Sequence, residues 1–261
     1  MSYFSNKGTQ LYYEIHGEGE PLLIIPGGGA DGRYYLPIVE ILKNSFRVIL
    51  PDPRGCGRSK KGSQSYTFDL LASDIVALLN HLKIETSHVI GHSMGGMVAQ
   101  EMVARAPERV KQLVLYGTGA TGVLPGRFET IETSKRRALA DGPQVTARRI
   151  AATWVLEREK ADGYQDCARI AERCRLAAML NGLDAMEHWS GVEQLAEIGI
   201  RTLVLWGDCE RTYNWSQTEQ LWQSIARANL SVMPGCAHAV HLEKPGLFNS
   251  VLGDFLQSDG A

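Results

Sequence analysis

His88-Val89-Ile90-Gly91-His92-Ser93-Met94-Gly95-Gly96 is the stretch from which the rest of the chain is read. Its first residues predict the end of a buried strand. From Met94 to Arg105 apolar side chains recur at helical spacing, so a G-x-S-x-G pattern falls on a strand-to-helix turn. So sharp a turn strains the serine backbone, and glycine at 91 and 95 removes the Cβ atoms that would keep helix and strand apart. Ser93 is thereby predicted to stand above a sheet at a helix N-terminus, where backbone N–H groups favour negative charge. That is a placement suited to a nucleophile. The plain alternative is an N-capping serine in a glycine-rich turn, and the elements around it weigh against that. His92 fills a variable slot and is expected to be structural.

Outward from this turn, short runs rich in Val, Ile and Leu recur at 21–25, 46–50, 88–90, 112–116, 202–206 and 230–233, mostly bounded by Gly, Pro or Asp. Such runs predict buried strands. Helical spacing fills 68–82, 94–105, 215–226 and 247–256. The alternation predicts an α/β class with a mostly parallel sheet covered by helices on both faces. Between about Gly119 and Ile198 it stops, and Arg, Glu and Ala appear at helical spacing without a strand. An inserted helical cap over 119–198 is expected, on a core built from 1–118 and 199–261.

The 261 residues, 44% of them apolar and 21% charged, are near the upper size of a single hydrophobic core. A net charge of −2 without a long run of Lys or Arg gives no footprint for nucleic acid or an anionic membrane. The N-terminus lacks the charged-then-apolar pattern of a signal peptide, and no stretch approaches the roughly 18 apolar residues that span a bilayer. A cytoplasmic location is the expectation. Five cysteines, at 56, 167, 174, 209 and 236, are odd in number and scattered without a C-x-x-C pair. Neither a disulfide framework nor a zinc site is expected.

A serine hydroxyl needs a base within hydrogen-bond reach and a third group to orient that base. His238 and His241 stand together in Pro234-Gly-Cys-Ala-His238-Ala-Val-His241-Leu-Glu243-Lys-Pro245. This segment resembles the C-terminal signature of the α/β-hydrolase family, and the match implies His238 as base and His241 as a packing or solvent-facing residue. The family order, nucleophile then acid then histidine, asks for a carboxylate after a strand between 93 and 238. Gly117-Thr-Gly-Ala-Thr-Gly122, one of the family's two usual acid positions, holds none. In Gly207-Asp208-Cys209-Glu210 the family's Gly-x-x-Asp position is Glu210, a methylene longer than usual. Asp208 is the rival acid.

Pro26-Gly27-Gly28-Gly29-Ala30 is similar to the family's oxyanion segment, which implies that the N–H groups of Gly28 and Met94 stabilise an oxyanion, with Gly29 as the alternative to Gly28. The same glycines match neither a dinucleotide fingerprint nor a P-loop. Asp52-Pro-Arg54-Gly55-Cys-Gly57-Arg58-Ser59 resembles a turn widespread in the family and is expected to fix that turn, not the chemistry. The resemblance implies a serine hydrolase needing neither metal nor organic cofactor. Residues 93–100 are similar to enol-lactone hydrolases and arylesterases, which implies a small ester or lactone. Residues 27–35 share part of the pattern of carbon–carbon hydrolases of ring-cleavage diketones, and a cofactor-free perhydrolase is a third enzymatic reading. A hydrolase-like binding protein without turnover is the non-enzymatic one. Oligomeric state is not written in the sequence, and a homo-oligomer stays open.

Overall fold

The computed structural model describes residues 2–258. An antiparallel hairpin of β1 (Ser2–Asn6) and β2 (Thr9–His16) precedes six mutually parallel strands: β3 (Glu20–Ile25), β4 (Phe46–Pro51), β5 (Ser87–His92), β6 (Val110–Tyr116), β7 (Thr202–Gly207) and β8 (Ala228–Met233). They lie in one sheet in the order β1-β2-β4-β3-β5-β6-β7-β8, with β2 antiparallel to β4. The strand order reverses between β3 and β5. Loops leaving the carboxyl ends of those two strands diverge and open a crevice, the usual ligand site in a sheet of this kind. Pro26–Gly29 and Ser93 both stand there.

Alternate residues of each central strand feed two cores. Leu23, Val89 and Leu113 face one side and pack under α2 (after α1, Leu36–Leu42; α2, Phe68–His81) and α3 (Met94–Arg105). Their neighbours Leu22, Ile24, Ile90 and Val114 face the other, joining Ile38 and Val39 of α1. All are fully or almost fully buried, each worth about 1.5–3 kcal/mol of transfer free energy. No strand falls between β6 and β7. That segment carries α4 (Ile131–Trp154), α5 (Tyr164–Ala171) and α6 (Leu176–Glu187). α4 is broken at Gly142, whose φ is +80°, with Pro143 opening its second half; proline has no N–H to give an interior helical turn and suits a first one. α7 (Trp215–Ser224) links β7 to β8, and α8 (Val240–Glu243) and α9 (Pro245–Gln257) close the chain over the second core.

The turn after β4 is a polar clasp. Arg54, 1% exposed, pairs with Asp74 through Nε and Nη2 and donates to Thr9 Oγ1 at 2.6 Å. Asp52 accepts from Gly32 N at 3.0 Å and from Arg58 Nε at 2.7 Å.

The cysteines require a correction. Cys56 in this turn and Cys174 between α5 and α6 form a disulfide, against the expectation of none. The pair is 118 residues apart in sequence, and only the return of the inserted helices over the β4 turn brings the two together, so spacing carried no sign of it. Cys167, Cys209 and Cys236 are free. Among the described residues no helix is long and apolar enough to cross a membrane, and no cluster of His, Cys, Asp and Glu is arranged to hold a metal ion.

Candidate active site

Ser93 has φ +56° and ψ −127°, a region of backbone space that L-residues seldom enter. The strain persists because the surroundings allow no other path. A Cβ on Gly95 would come within 2.1 Å of Ile25 O, and one on Gly91 within 2.7 Å of Gly95 O. Ser93 N donates to Tyr116 O at 2.9 Å, and Thr118 Oγ1 donates to Ser93 O at 2.7 Å. The side chain is half-buried and lines the largely apolar pocket between the sheet and the inserted helices.

His238, 2% exposed, reaches the same pocket from the loop after β8. Its Nδ1 lies 2.5 Å from Glu210 Oε2. The other oxygen of Glu210 accepts the N–H groups of Arg211 and Thr212, both at 2.8 Å. The loop after β7 thus curls around its own glutamate and takes up the additional methylene. Asp208 is placed elsewhere: its Oδ1 accepts from Gly235 N at 2.6 Å, bracing the turn before the histidine loop.

Ser93 Oγ has Tyr213 Oη as its partner at 3.4 Å and, among the described residues, makes no hydrogen bond to His238. Such contacts are often long before substrate arrives. The Tyr213 ring stacks on the His238 ring with centroids 5.8 Å apart and planes 15° from parallel. Burial pushes the Tyr213 phenol up to about 12, so it stays a neutral donor. Reading the sequence alone missed Tyr213. It lies three residues past Glu210, and only the curl of that loop turns it toward Ser93.

Gly28 and Met94 face each other across the pocket floor: a Cβ on Gly28 would be 3.5 Å from Met94 Sδ. Gly27 N is already taken by Tyr35 Oη at 3.2 Å, whereas among the described residues neither the Gly28 nor the Met94 N–H has a loop or turn acceptor.

His92 and His241 are each engaged by other partners. His92 bonds Tyr35 Oη at 2.8 Å and the His238 carbonyl at 3.2 Å, and its burial, with His238 and His241 nearby, holds it well below its ordinary value. His241, fully buried, bonds Tyr116 Oη at 3.1 Å and Tyr34 O at 3.2 Å; burial lowers it to about 3. Trp154 and Met186 line the pocket. Tyr34 packs in the second core, and Trp189 packs on Phe68 and donates to Glu101.

Residues 20–245 match the alpha/beta hydrolase fold family. The chain belongs to the α/β-hydrolase family. It is 30% identical, over 98% of both chains, to the "Putative carbamate hydrolase RutD" of Azorhizobium caulinodans. It is 27% identical to a 2-hydroxy-6-oxo-6-phenylhexa-2,4-dienoate hydrolase of Comamonas testosteroni, over 95% of this chain and 91% of that one. Among solved structures it resembles the enol-lactonase of Burkholderia xenovorans LB400, with a TM-score of 0.91, 24% identity and coverage of 98% and 100% of the two chains. At that identity the structural likeness speaks to the α/β-hydrolase fold, not to the substrate.

Proposed function

We propose that the protein is a serine hydrolase of small carboxylic esters or lactones, with Ser93 as nucleophile, His238 as base and Glu210 as the acid that orients it. The observation that carries this reading is the convergence at one pocket of a strained serine, a histidine held by a buried glutamate, and two free backbone donors. Ser93 Oγ attacks the carbonyl carbon and passes its proton to His238 Nε2. Glu210, on Nδ1–H, fixes the tautomer that leaves Nε2 able to accept and stabilises the imidazolium that results. The N–H groups of Gly28 and Met94 receive the oxyanion, each such donor being worth about 3–4 kcal/mol in the transition state. His238 next protonates the leaving oxygen, leaving an acyl group on Ser93. A water that gives its proton to His238 then releases the acid. A lactone follows the same path, its leaving oxygen remaining part of the product.

A second reading, hydrolysis of a carbon–carbon bond in a ring-cleavage diketone, is favoured by the likeness to the Comamonas hydrolase. A panel of 4-nitrophenyl esters, lactones and a ring-cleavage diketone, given to wild type and Ser93→Ala, separates the two. Ester or lactone turnover that falls more than about a thousandfold in the variant supports the first. Turnover confined to the diketone replaces it with the second, and activity retained by Ser93→Ala defeats the nucleophile assignment.

A further inference from the structure

The pocket that holds Ser93 is walled mostly by apolar side chains such as Leu71, Ile150, Met179, Leu183 and Met186, and among the described residues no Asp or Glu lines it. Two arginines do, and they differ in one respect. Arg54 is consumed by Asp74 and Thr9. Arg127, from the loop between β6 and α4, is not. Its Nη1 donates to Glu129 O and Ser134 Oγ, both at 3.2 Å, while its Nε is buried without any partner. Among the described residues its guanidinium pairs with no carboxylate.

Glu129, the acid whose charge acts on Arg127, is already engaged. Both oxygens of Glu129 accept from Arg149 Nη1 at 2.8 Å, and they take in addition Arg137 Nη1 at 3.0 Å and Ser134 Oγ at 2.6 Å. Burial lowers the Arg127 guanidinium from its ordinary value, with Arg149 pushing the same way. Arginine nonetheless stays protonated in proteins. Nε has no surface open to a ligand, but Nη2 is not so enclosed and, among the described residues, makes no hydrogen bond; a half-buried cation with a donor left over is costly unless a ligand or water completes it. The Arg127 charge also acts on the Tyr213 phenol, which touches Ser93 Oγ, so the cation and the reacting serine share one small chamber.

We propose that Arg127 determines specificity by binding a carboxylate carried on the substrate, so that the preferred substrates are small esters or lactones bearing a free acid group near the scissile carbonyl. This rests on the Ser93 reading for the bond that is cut, but the anion site stands on Arg127 itself. A planar guanidinium with free donors matches a carboxylate better than it matches any neutral oxygen. An apolar wall without acids strengthens the attraction and repels nothing anionic.

The test compares a matched pair, the 4-nitrophenyl monoester of glutaric acid and its methyl-capped neutral analogue, with wild type, Arg127→Leu and Arg127→Lys. Wild type is expected to favour the acid in kcat/KM, and Arg127→Leu to lower that preference by about 10- to 100-fold, Arg127→Lys falling between. A merely structural role for Arg127 would lower both esters alike, so the ratio is what counts. In parallel, calorimetric binding of monomethyl glutarate to Ser93→Ala, alone and combined with Arg127→Leu, reads the anion site without turnover. Binding weakened by about tenfold or more on loss of Arg127 supports the site even where Ser93→Ala retains activity and defeats the nucleophile. An unchanged ester preference together with unchanged binding overturns the Arg127 inference and leaves the Ser93 reading intact.

Discussion

Replacing Glu210 by glutamine separates the glutamate's chemistry from its structural work. In wild type, Oε2 faces His238 Nδ1 at 2.5 Å while Oε1 accepts two backbone N–H groups at 2.8 Å. A glutamine can keep its carbonyl oxygen on those two N–H groups, which turns its amide N–H₂ toward Nδ1. The histidine must then carry its proton on Nε2, the atom that has to accept from Ser93. Loss of the correct tautomer in triads of this type lowers kcat by about 10⁴, so Glu210→Gln should lose about three to four orders of magnitude while melting within a few degrees of wild type. Glu210→Ala should lose a similar amount of activity and some stability as well. It orphans two backbone donors in a half-buried loop, at about 1–3 kcal/mol each where water does not replace the carboxylate. Asp208→Asn serves as the control, since Asp208 braces Gly235 and touches neither Ser93 nor His238. The assay is initial-rate hydrolysis of a 4-nitrophenyl ester alongside thermal melts. Turnover within tenfold of wild type for Glu210→Gln, or a collapse confined to Asp208→Asn, would refute the reasoning.

Two further expectations follow from buried groups. His92 and His241 are fully buried with their proton affinity depressed, His241 to about 3, so the unfolded chain, with ordinary histidines near 6.5, binds more protons than the folded one. The stability contributed by these two groups is therefore fully present above about pH 6.5 and lost as pH falls below it, by about 2 kcal/mol at pH 5 for His241, with His92 acting in the same direction; thermal melts that do not move between pH 7 and pH 5 would contradict it. For the Cys56–Cys174 bond, thiol titration in denaturant should find three thiols without reductant and five with it. Reduction should lower stability by about 2–4 kcal/mol, and five thiols under both conditions would mean the bond is not formed.

The strand-turn-helix at Ser93 is legible because several independent signals fall on adjacent residues: an apolar run, glycines where Cβ atoms would clash, and helical spacing that begins at once. The parallel strands β3 to β7 are legible for a related reason, since burial on both faces writes them as apolar runs, whereas β8, at the sheet edge, is mostly half-exposed and shows only a short run at its end. The N-terminal hairpin is not legible. In β2 buried Leu11, Tyr12 and Tyr13 are flanked by polar Gln10 and Glu14 and the strand ends half-exposed, so its apolar run is only three residues long. Tyr213 and Arg127 escape for another reason. Each sits in an irregular loop, where side-chain direction depends on local backbone curls that leave no periodic trace.

The inserted helices lack a signature over most of their length, yet they are bound tightly to the histidine and glutamate loops at one point. Ala239 N donates to Trp154 O at 2.7 Å, and Glu243 accepts Leu156 N at 2.6 Å on one oxygen and Ala237 N at 2.7 Å on the other. Arg211, next to Glu210, donates to the carbonyls of Val155 and Leu156 at 3.0 and 2.9 Å. Trp154 is also part of the pocket wall. The glutamate and histidine are therefore positioned through the same few backbone groups that hold one side of the substrate chamber. A shift at the end of α4 would move the wall and the His238–Glu210 pair together, because hydrogen bonds of this length to backbone leave little slack. Glu243 takes part in this coupling from outside the pocket. With its carboxylate shared between Ala237 and Leu156, it ties the histidine loop to the helices that cover the serine.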